Sequence, residues 1–338
     1  MSLIKYLVKR IFTLIPVLIG IIILTFFLSR IIPGDPVLAY LEGSYDIEVY
    51  EKIRHDLWLD RPLGIQFIRY IKDLFTGNWG YSVSINNGQD VWSLIIQRLP
   101  RTIDIVFFSL IIAVYLGVKT GIISSRYKNS AADSVIRGIS ILGVSIPVFF
   151  LGILLQYYFV ILIPIFPSTG FKNMTYKDPE FITGFRIIDS LISGEFYFIT
   201  DYLFHLILPV FCLSFVILAG ITRQSRSSML EVLSQDYIRT ARAKGVREKD
   251  VIRTHALKNS LIPTITIVSL NFATILAGAF LIEATFNING LGTLFIDAIL
   301  KYDYWVTNAV IFIVAILFLI FSIINDIAYA IIDPRIRY

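Results

Sequence analysis

Thiol chemistry is nearly absent from this chain: Cys212 is the one cysteine among 338 residues, so no intrachain disulfide can form. It sits in an apolar run and reads as a small core hydrophobe. Charge is scarce as well, at 16% of residues against 56% hydrophobic, and the mean hydropathy is +0.73. Two soluble domains of this length would need far more polar surface, whereas lipid tolerates apolar residues on every side of a helix. No Gly-Lys dipeptide occurs, which excludes a phosphate-binding loop of the form G-x-x-x-x-G-K-[ST]. The histidines, His55, His205 and His255, fall on separate segments with no H-E-x-x-H pattern, so neither a metal-dependent nor a nucleophilic enzyme is supported. No internal repeat or low-complexity tract is evident.

What the chain does have is six apolar segments long enough to cross a bilayer, which takes roughly 20 residues each. They run over Ile11–Ile32, Ile103–Ile123, Ile139–Ile163, Leu203–Ile221, Ile262–Ile282 and Val306–Ile324. The first follows Lys5, Lys9 and Arg10 like a secretory signal, yet its length and the absence of a small-residue cleavage pattern favour a retained helix ended by Pro33-Gly34-Asp35-Pro36. Six spans place both termini on one side of the membrane. The terminal segments together with loops 124–137 and 223–258 hold 17 Lys/Arg and 6 Asp/Glu. Loops 33–98, 164–202 and 286–305 hold 10 Lys/Arg and 16 Asp/Glu. The positive-inside rule therefore predicts cytoplasmic termini, and the net charge of +5 reflects topology rather than a nucleic-acid partner. The span cores contain almost no acids, unlike a secondary transporter with an ionisable site in the membrane. A passive channel is compatible with hydropathy alone.

Three sections follow: 1–34 with the N-terminus and first span, 35–100 as an extended outer loop, and 101–338 as a core with an inner loop at 223–260. In the outer loop Val49, Ile53 and Leu57, then Leu63, Phe67 and Ile71, recur at helical spacing and predict short amphipathic helices. The inner loop is polar, basic and helical in pattern. Asp236 is placed to cap a helix through Lys244, and Gly245 suits the left-handed position that ends one. Ile238, Ala241, Arg242 and Gly245 share one face. That face is small and shallow, so it suits close approach by another backbone; a basic helix resting on lipid headgroups is the competing reading. A second helical stretch from Glu248 to Asn259 leads to Pro263.

The stretch Asp236-Tyr237-Ile238-Arg239-Thr240-Ala241-Arg242-Ala243-Lys244-Gly245, followed by His255-Ala256-Leu257-Lys258-Asn259-Ser260-Leu261-Ile262-Pro263, resembles the coupling loop of ATP-binding-cassette importers of the dipeptide/oligopeptide permease family. Leu59-Asp60-Arg61-Pro62-Leu63, Arg98-Leu99-Pro100-Arg101-Thr102, Ser145-Ile146-Pro147-Val148-Phe149, Arg223-Gln224-Ser225-Arg226, Glu283-Ala284-Thr285-Phe286, Gly290-Leu291-Gly292 and Asp333-Pro334-Arg335 extend the resemblance along the chain. Trp58 stands where that family usually has glycine, and the proline usual before Gly290 is missing. The long outer loop is similar to the B-type permease, which pairs with a C-type one.

The resemblance implies an all-helical permease of the type I importer fold in the plasma membrane of a bacterium or archaeon. It implies partners: a second permease, two ATPase subunits that use ATP and magnesium, and an extracytoplasmic solute-binding protein. No cofactor is expected on this chain and no catalysis by it. Asp236, Tyr237, Arg239, Thr240, Ala241, Arg242, Ala243, Lys244 and Gly245 are the residues implied to contact an ATPase. Short peptides are the implied cargo; oligosaccharides and nickel are the alternatives. Among further candidates, Pro147, Pro164, Pro209 and Pro263 either bend or end helices beside a cavity, or are merely tolerated or mark helix ends. His205 reads as a packed or interfacial histidine, Glu283 and Asp326 as solvated at span ends, and Asp333 beside Arg335 as a local ion pair or a cap.

Overall fold

The computed structural model describes residues 3–31, 37–38, 41, 46–56, 58–86 and 88–332. Pro33–Pro36, Leu57, Asn87 and Asp333-Pro334-Arg335 lie outside them. Regular structure among the described residues is helical, with one isolated bridge pairing Tyr81 and Asp90. Helix α1 spans Leu3–Ile31, α2 Ile47–Asp56, α3 Leu63–Thr76 and α4 Val91–Arg126. Next come α5 at Ala131–Ser145, α6 at Val148–Gln156 with a π-helical continuation Tyr157–Leu162, and α7 at Arg186–Ser193. Helix α8 covers Phe196–Leu233 and α9 Asp236–Ala243. A turn at Glu248–Asp250 and a π segment Val251–Ala256 lead into α10, Leu257–Leu270. Helices α11 at Phe272–Phe286, α12 at Leu291–Leu300 and α13 at Tyr304–Ile332 complete the chain.

Among the described residues, three are long and apolar enough to cross a membrane unbroken: α4, α8 and the stretch Tyr304–Ala328 of α13. Two of the expected spans are bent instead. Helices α5 and α6 meet at 101°, because Pro147 has no N–H to donate and pushes Ile146 to extended backbone (φ −87°, ψ 123°). Helices α10 and α11 meet at 57° across Asn271 (φ −92°, ψ 2°). Pro100, Pro209 and Pro263 stay inside α4, α8 and α10, so proline alone does not mark a break. Pro263 is also not the start of its helix, since helical structure already runs from Glu248.

Helix α8 is the central pillar. Side chains of Tyr202, Leu206, Cys212 and Leu213 are buried with Ile105 of α4 and Ile275, Leu276 and Phe286 of α11. Cys212 is fully buried there, as a core hydrophobe should be. Small residues let the backbones approach, as expected where lipid supplies no hydrophobic drive between helices. A Cβ on Gly117 or Gly121 of α4 would sit 2.7 Å from Ile221 or 2.6 Å from Ser225, and one on Gly143 of α5 would sit 2.8 Å from Ala219.

The outer loop packs as the amphipathic pattern requires in α3, where Phe67, Tyr70, Ile71 and Leu74 lie against Leu18, Ile22 and Phe312. The Val49–Ile53 stripe of α2 forms a helix with no buried residue. Beyond α3, Asp303 is fully buried and accepts from Ser82 Oγ (2.7 Å), the Val83 N–H (2.9 Å) and the Ser84 N–H (3.2 Å), fastening the Tyr81–Asp90 turn to the start of α13.

Candidate functional site

Both helix breaks open onto the same space. A cavity of about 560 Å³ is lined by Ile146, Pro147 and Val148 from the first break and by Val268, Asn271 and Thr274 from the second. The third wall is a stripe on α8, in which Leu213, Ile217, Gly220 and Gln224 follow one another at helical spacing. From Leu213 to Gln224 that stripe runs about 16 Å at 1.5 Å per residue. Irregular backbone at membrane depth is tolerated where it lines a cavity, because the peptide groups freed by a break need partners there. Asn271 meets part of that need itself, donating from Nδ2 to the Ile267 carbonyl at 2.8 Å. The lining is overwhelmingly aliphatic. Arg223, Gln224, Asn271 and Thr274 supply its polar side chains, and among the described residues it holds no aromatic ring and no His, Cys, Asp or Glu.

At the end of α8 nearest the inner loop, Arg226 is gripped in a bidentate pair by Asp133, with Nε to Oδ1 at 2.8 Å and Nη2 to Oδ2 at 3.0 Å. Ser124 Oγ donates to the same carboxylate at 2.5 Å and the Asn129 N–H at 3.0 Å. One fully buried acid thus ties α4, α5 and α8 together below the cavity. Arg226 belongs to a recognisable stretch, but its partner is 93 residues away and carries no such mark. The available signal was Ser130 three residues before Asp133, the spacing of a helix-start capping pair.

The inner loop packs beside this node, against Met229 of α8 and Ile122 of α4. Helix α9 begins at Asp236, but Gln235 takes the cap position, so the expected Asp236 cap is corrected: no side chain caps this helix and Asp236 lies in its first turn. Gly245 does adopt left-handed backbone at φ +76°. Its N–H donates to the Arg242 carbonyl (2.9 Å) and the Val246 N–H to that of Ala241 (3.3 Å), the paired closure of a Schellman motif. The shallow face formed by Ile238, Ala241, Arg242 and Gly245 is likewise corrected. Ile238 and Ala241 are buried against Met229, Val251 and Ala256, because a short helix needs its own apolar contacts to stay folded. Asp236, Tyr237, Arg239, Thr240, Arg242, Ala243, Lys244 and Gly245 remain exposed. Arg242 pairs with Glu248 at 2.8 and 3.0 Å, which raises its guanidinium pKa above the ordinary value. Asn259 Nδ2 donates to the Tyr237 hydroxyl at 3.0 Å, linking the outward face to the next helix.

Opposite the inner loop, Glu283 is not solvated, contrary to its place in the sequence pattern. It is fully buried and accepts from Thr102 Oγ1 (2.5 Å), the Gly292 N–H (2.7 Å) and the Thr293 N–H (3.3 Å). A carboxylate in an apolar bundle is stable only where donors surround it, and the first turn of α12 provides two. Asp326 is also buried. His205 is packed as expected, with Nδ1 2.8 Å from the Asp201 carbonyl.

The bundle of broken and unbroken apolar helices is accompanied by similarity to known membrane components along nearly the whole chain. Residues 117–338 match the family described as "Binding-protein-dependent transport system inner membrane component", and residues 3–106 match its N-terminal counterpart, "Binding-prot-dependent transport system membrane comp, N-term". The chain belongs to this family of membrane permeases. It is 38% identical over 335 residues to the di/tripeptide transport system permease protein DppB of Pseudomonas aeruginosa, covering 99% of each chain. It is 38% identical to the dipeptide transport system permease protein DppB of Alkalihalophilus pseudofirmus, covering 98% of this chain and 99% of that one. Against the oligopeptide transport system permease protein AppB of Bacillus subtilis it is 35% identical, covering 98% and 99%.

Proposed function

We propose that this chain is one of two permeases in an ATP-driven importer of short peptides, and that the cavity between the two helix breaks is its half of the translocation path. The relatives above carry peptide transport in their names along their full length, and that is the observation on which the cargo rests. The cavity wall is consistent with it. Sugar recognition commonly uses aromatic platforms for the ring faces, and nickel needs imidazole, thiolate or carboxylate ligands; the lining offers none of these among the described residues.

In this reading α1, the α5–α6 and α10–α11 pairs, α4, α8 and α13 make six spans with cytoplasmic termini. The exposed side of α9, with Tyr237, Arg239, Thr240, Ala243 and Lys244, meets a cytoplasmic ATPase. Closure of the ATPase pair moves α9, and the Asp133–Arg226 node passes that motion to α4, α5 and α8, whose rigid displacement exchanges the openings of the cavity. An extracytoplasmic binding protein delivers the peptide.

The test is reconstitution of the complete complex in vesicles with its binding protein. ATP-dependent uptake of labelled dipeptides is expected, with no uptake of maltotriose or nickel. Sugar or metal uptake without peptide uptake would replace the cargo, and uptake independent of ATP would remove the importer.

A further inference from the structure

Arg223 is the only charged residue lining the cavity among the described residues. Arg226, one turn further along α8, is committed to Asp133. Arg223 forms no hydrogen bond or ion pair within the described residues and is exposed. Its neighbour Gln224 donates from Nε2 to Ser228 Oγ at 3.0 Å, which leaves the side-chain carbonyl oxygen as a free acceptor. Both residues stand at the inner-loop end of the α8 stripe, beyond a wall of Leu213, Val216, Ile217 and Ile221.

A zwitterionic peptide entering an aliphatic cavity loses water around both termini, and each bare charge is costly without a partner. The wall supplies a partner of one sign only. A guanidinium is always protonated and its fork matches a carboxylate in a bidentate pair. Resting on the peptide-cargo reading, we infer that Arg223 receives the C-terminal carboxylate of the peptide at the inner-loop end of the path. Gln224 presents its free carbonyl oxygen to the last peptide N–H. The peptide then travels with its carboxylate leading toward the inner loop, and the path favours free carboxylates over inorganic cations, which the same arginine repels.

The experiment uses the whole complex with its binding protein in vesicles and compares Arg223→Gln, Arg223→Lys and Arg223→Glu with the unaltered chain. The quantity read is peptide taken up per ATP hydrolysed. Arg223→Gln is expected to lower it about tenfold, the worth of one charge-assisted hydrogen bond. Arg223→Lys, which keeps the charge but not the fork, should fall between the unaltered chain and Gln, and Arg223→Glu should fall below Gln. An unchanged ratio in Arg223→Gln would overturn the inference, as would a Lys variant no better than Gln. A Gln defect that disappears in vesicles lacking anionic lipid would assign Arg223 to headgroups and overturn it too. Absence of peptide uptake by the unaltered complex would instead remove the cargo reading beneath it.

Discussion

A carboxylate with no exposed surface must find donors for both oxygens, and Glu283 finds three from two other helices. The glycines of Gly290-Leu291-Gly292 make this possible: a Cβ on Gly290 would run into the Glu283 carboxylate, and one on Gly292 into the Phe280 backbone. Glu283→Ala should therefore strand the Thr102 hydroxyl and two peptide N–H groups, lowering stability by about 2–4 kcal/mol. Glu283→Gln, which keeps an acceptor, should cost less. Thermal denaturation of the purified complex reads both. Glu283 was visible as an acid ending an apolar run, but its burial was not, because Thr102 lies 181 residues away. Trp58 shows the opposite case. Its departure from the glycine usual in the family was legible, and the backbone there is left-handed at φ 59°, a conformation that disfavours a side chain by about 1–2 kcal/mol. The Arg69 guanidinium stacks 4.5 Å over its ring and offsets part of that.

Among the elements, α9 was the most readable, since spacing and Gly245 fixed its extent to within a residue. Which side of it faces outward was not, because Ile238 and Ala241 bury against residues contributed by α8 and the π segment, and no pattern within the helix announces them. A Cβ on Gly245 would meet nothing within 4 Å, so the site is open and the constraint is its positive φ. Gly245→Ala should then cost only about 1 kcal/mol of local strain and leave transport measurable. Gly245→Trp adds bulk on the exposed side and should abolish co-purification of the ATPase, or uptake, while membrane insertion persists. Normal transport by the Trp variant would remove α9 from the coupling interface. Apolar run length located the broken spans, but it could not show the breaks. Pro147 interrupts a helix while Pro209 and Pro263 do not, and Asn271 interrupts one with no proline at all.

At the scale of the whole molecule, α8 is the element that reaches furthest. Its 38 residues extend about 57 Å, well beyond a hydrocarbon core of about 30 Å. It carries the cavity stripe at its middle and the Arg226 node near its end, so a push at the inner loop moves the cavity wall without an intervening joint. The orientation that this requires is the one predicted by the charge asymmetry of the loops. A membrane-impermeant maleimide applied to intact cells should label Met174→Cys, a position 91% exposed in the second outer loop. Lys128→Cys, in the loop between α4 and α5, should stay unlabelled until the membrane is opened. Labelling in the reverse order would invert the topology and with it the direction assigned to the path.

The burial of Cys212 gives such work an unusual footing. With its only sulfhydryl sealed at 0% exposure in the α8 core, the natural chain is already silent to surface thiol reagents. Pairs of nitroxide or fluorophore probes can be installed across the two helix breaks with every native residue of the core left in place. The distances they report through an ATP cycle would then come from a bundle whose one native cysteine has not been replaced.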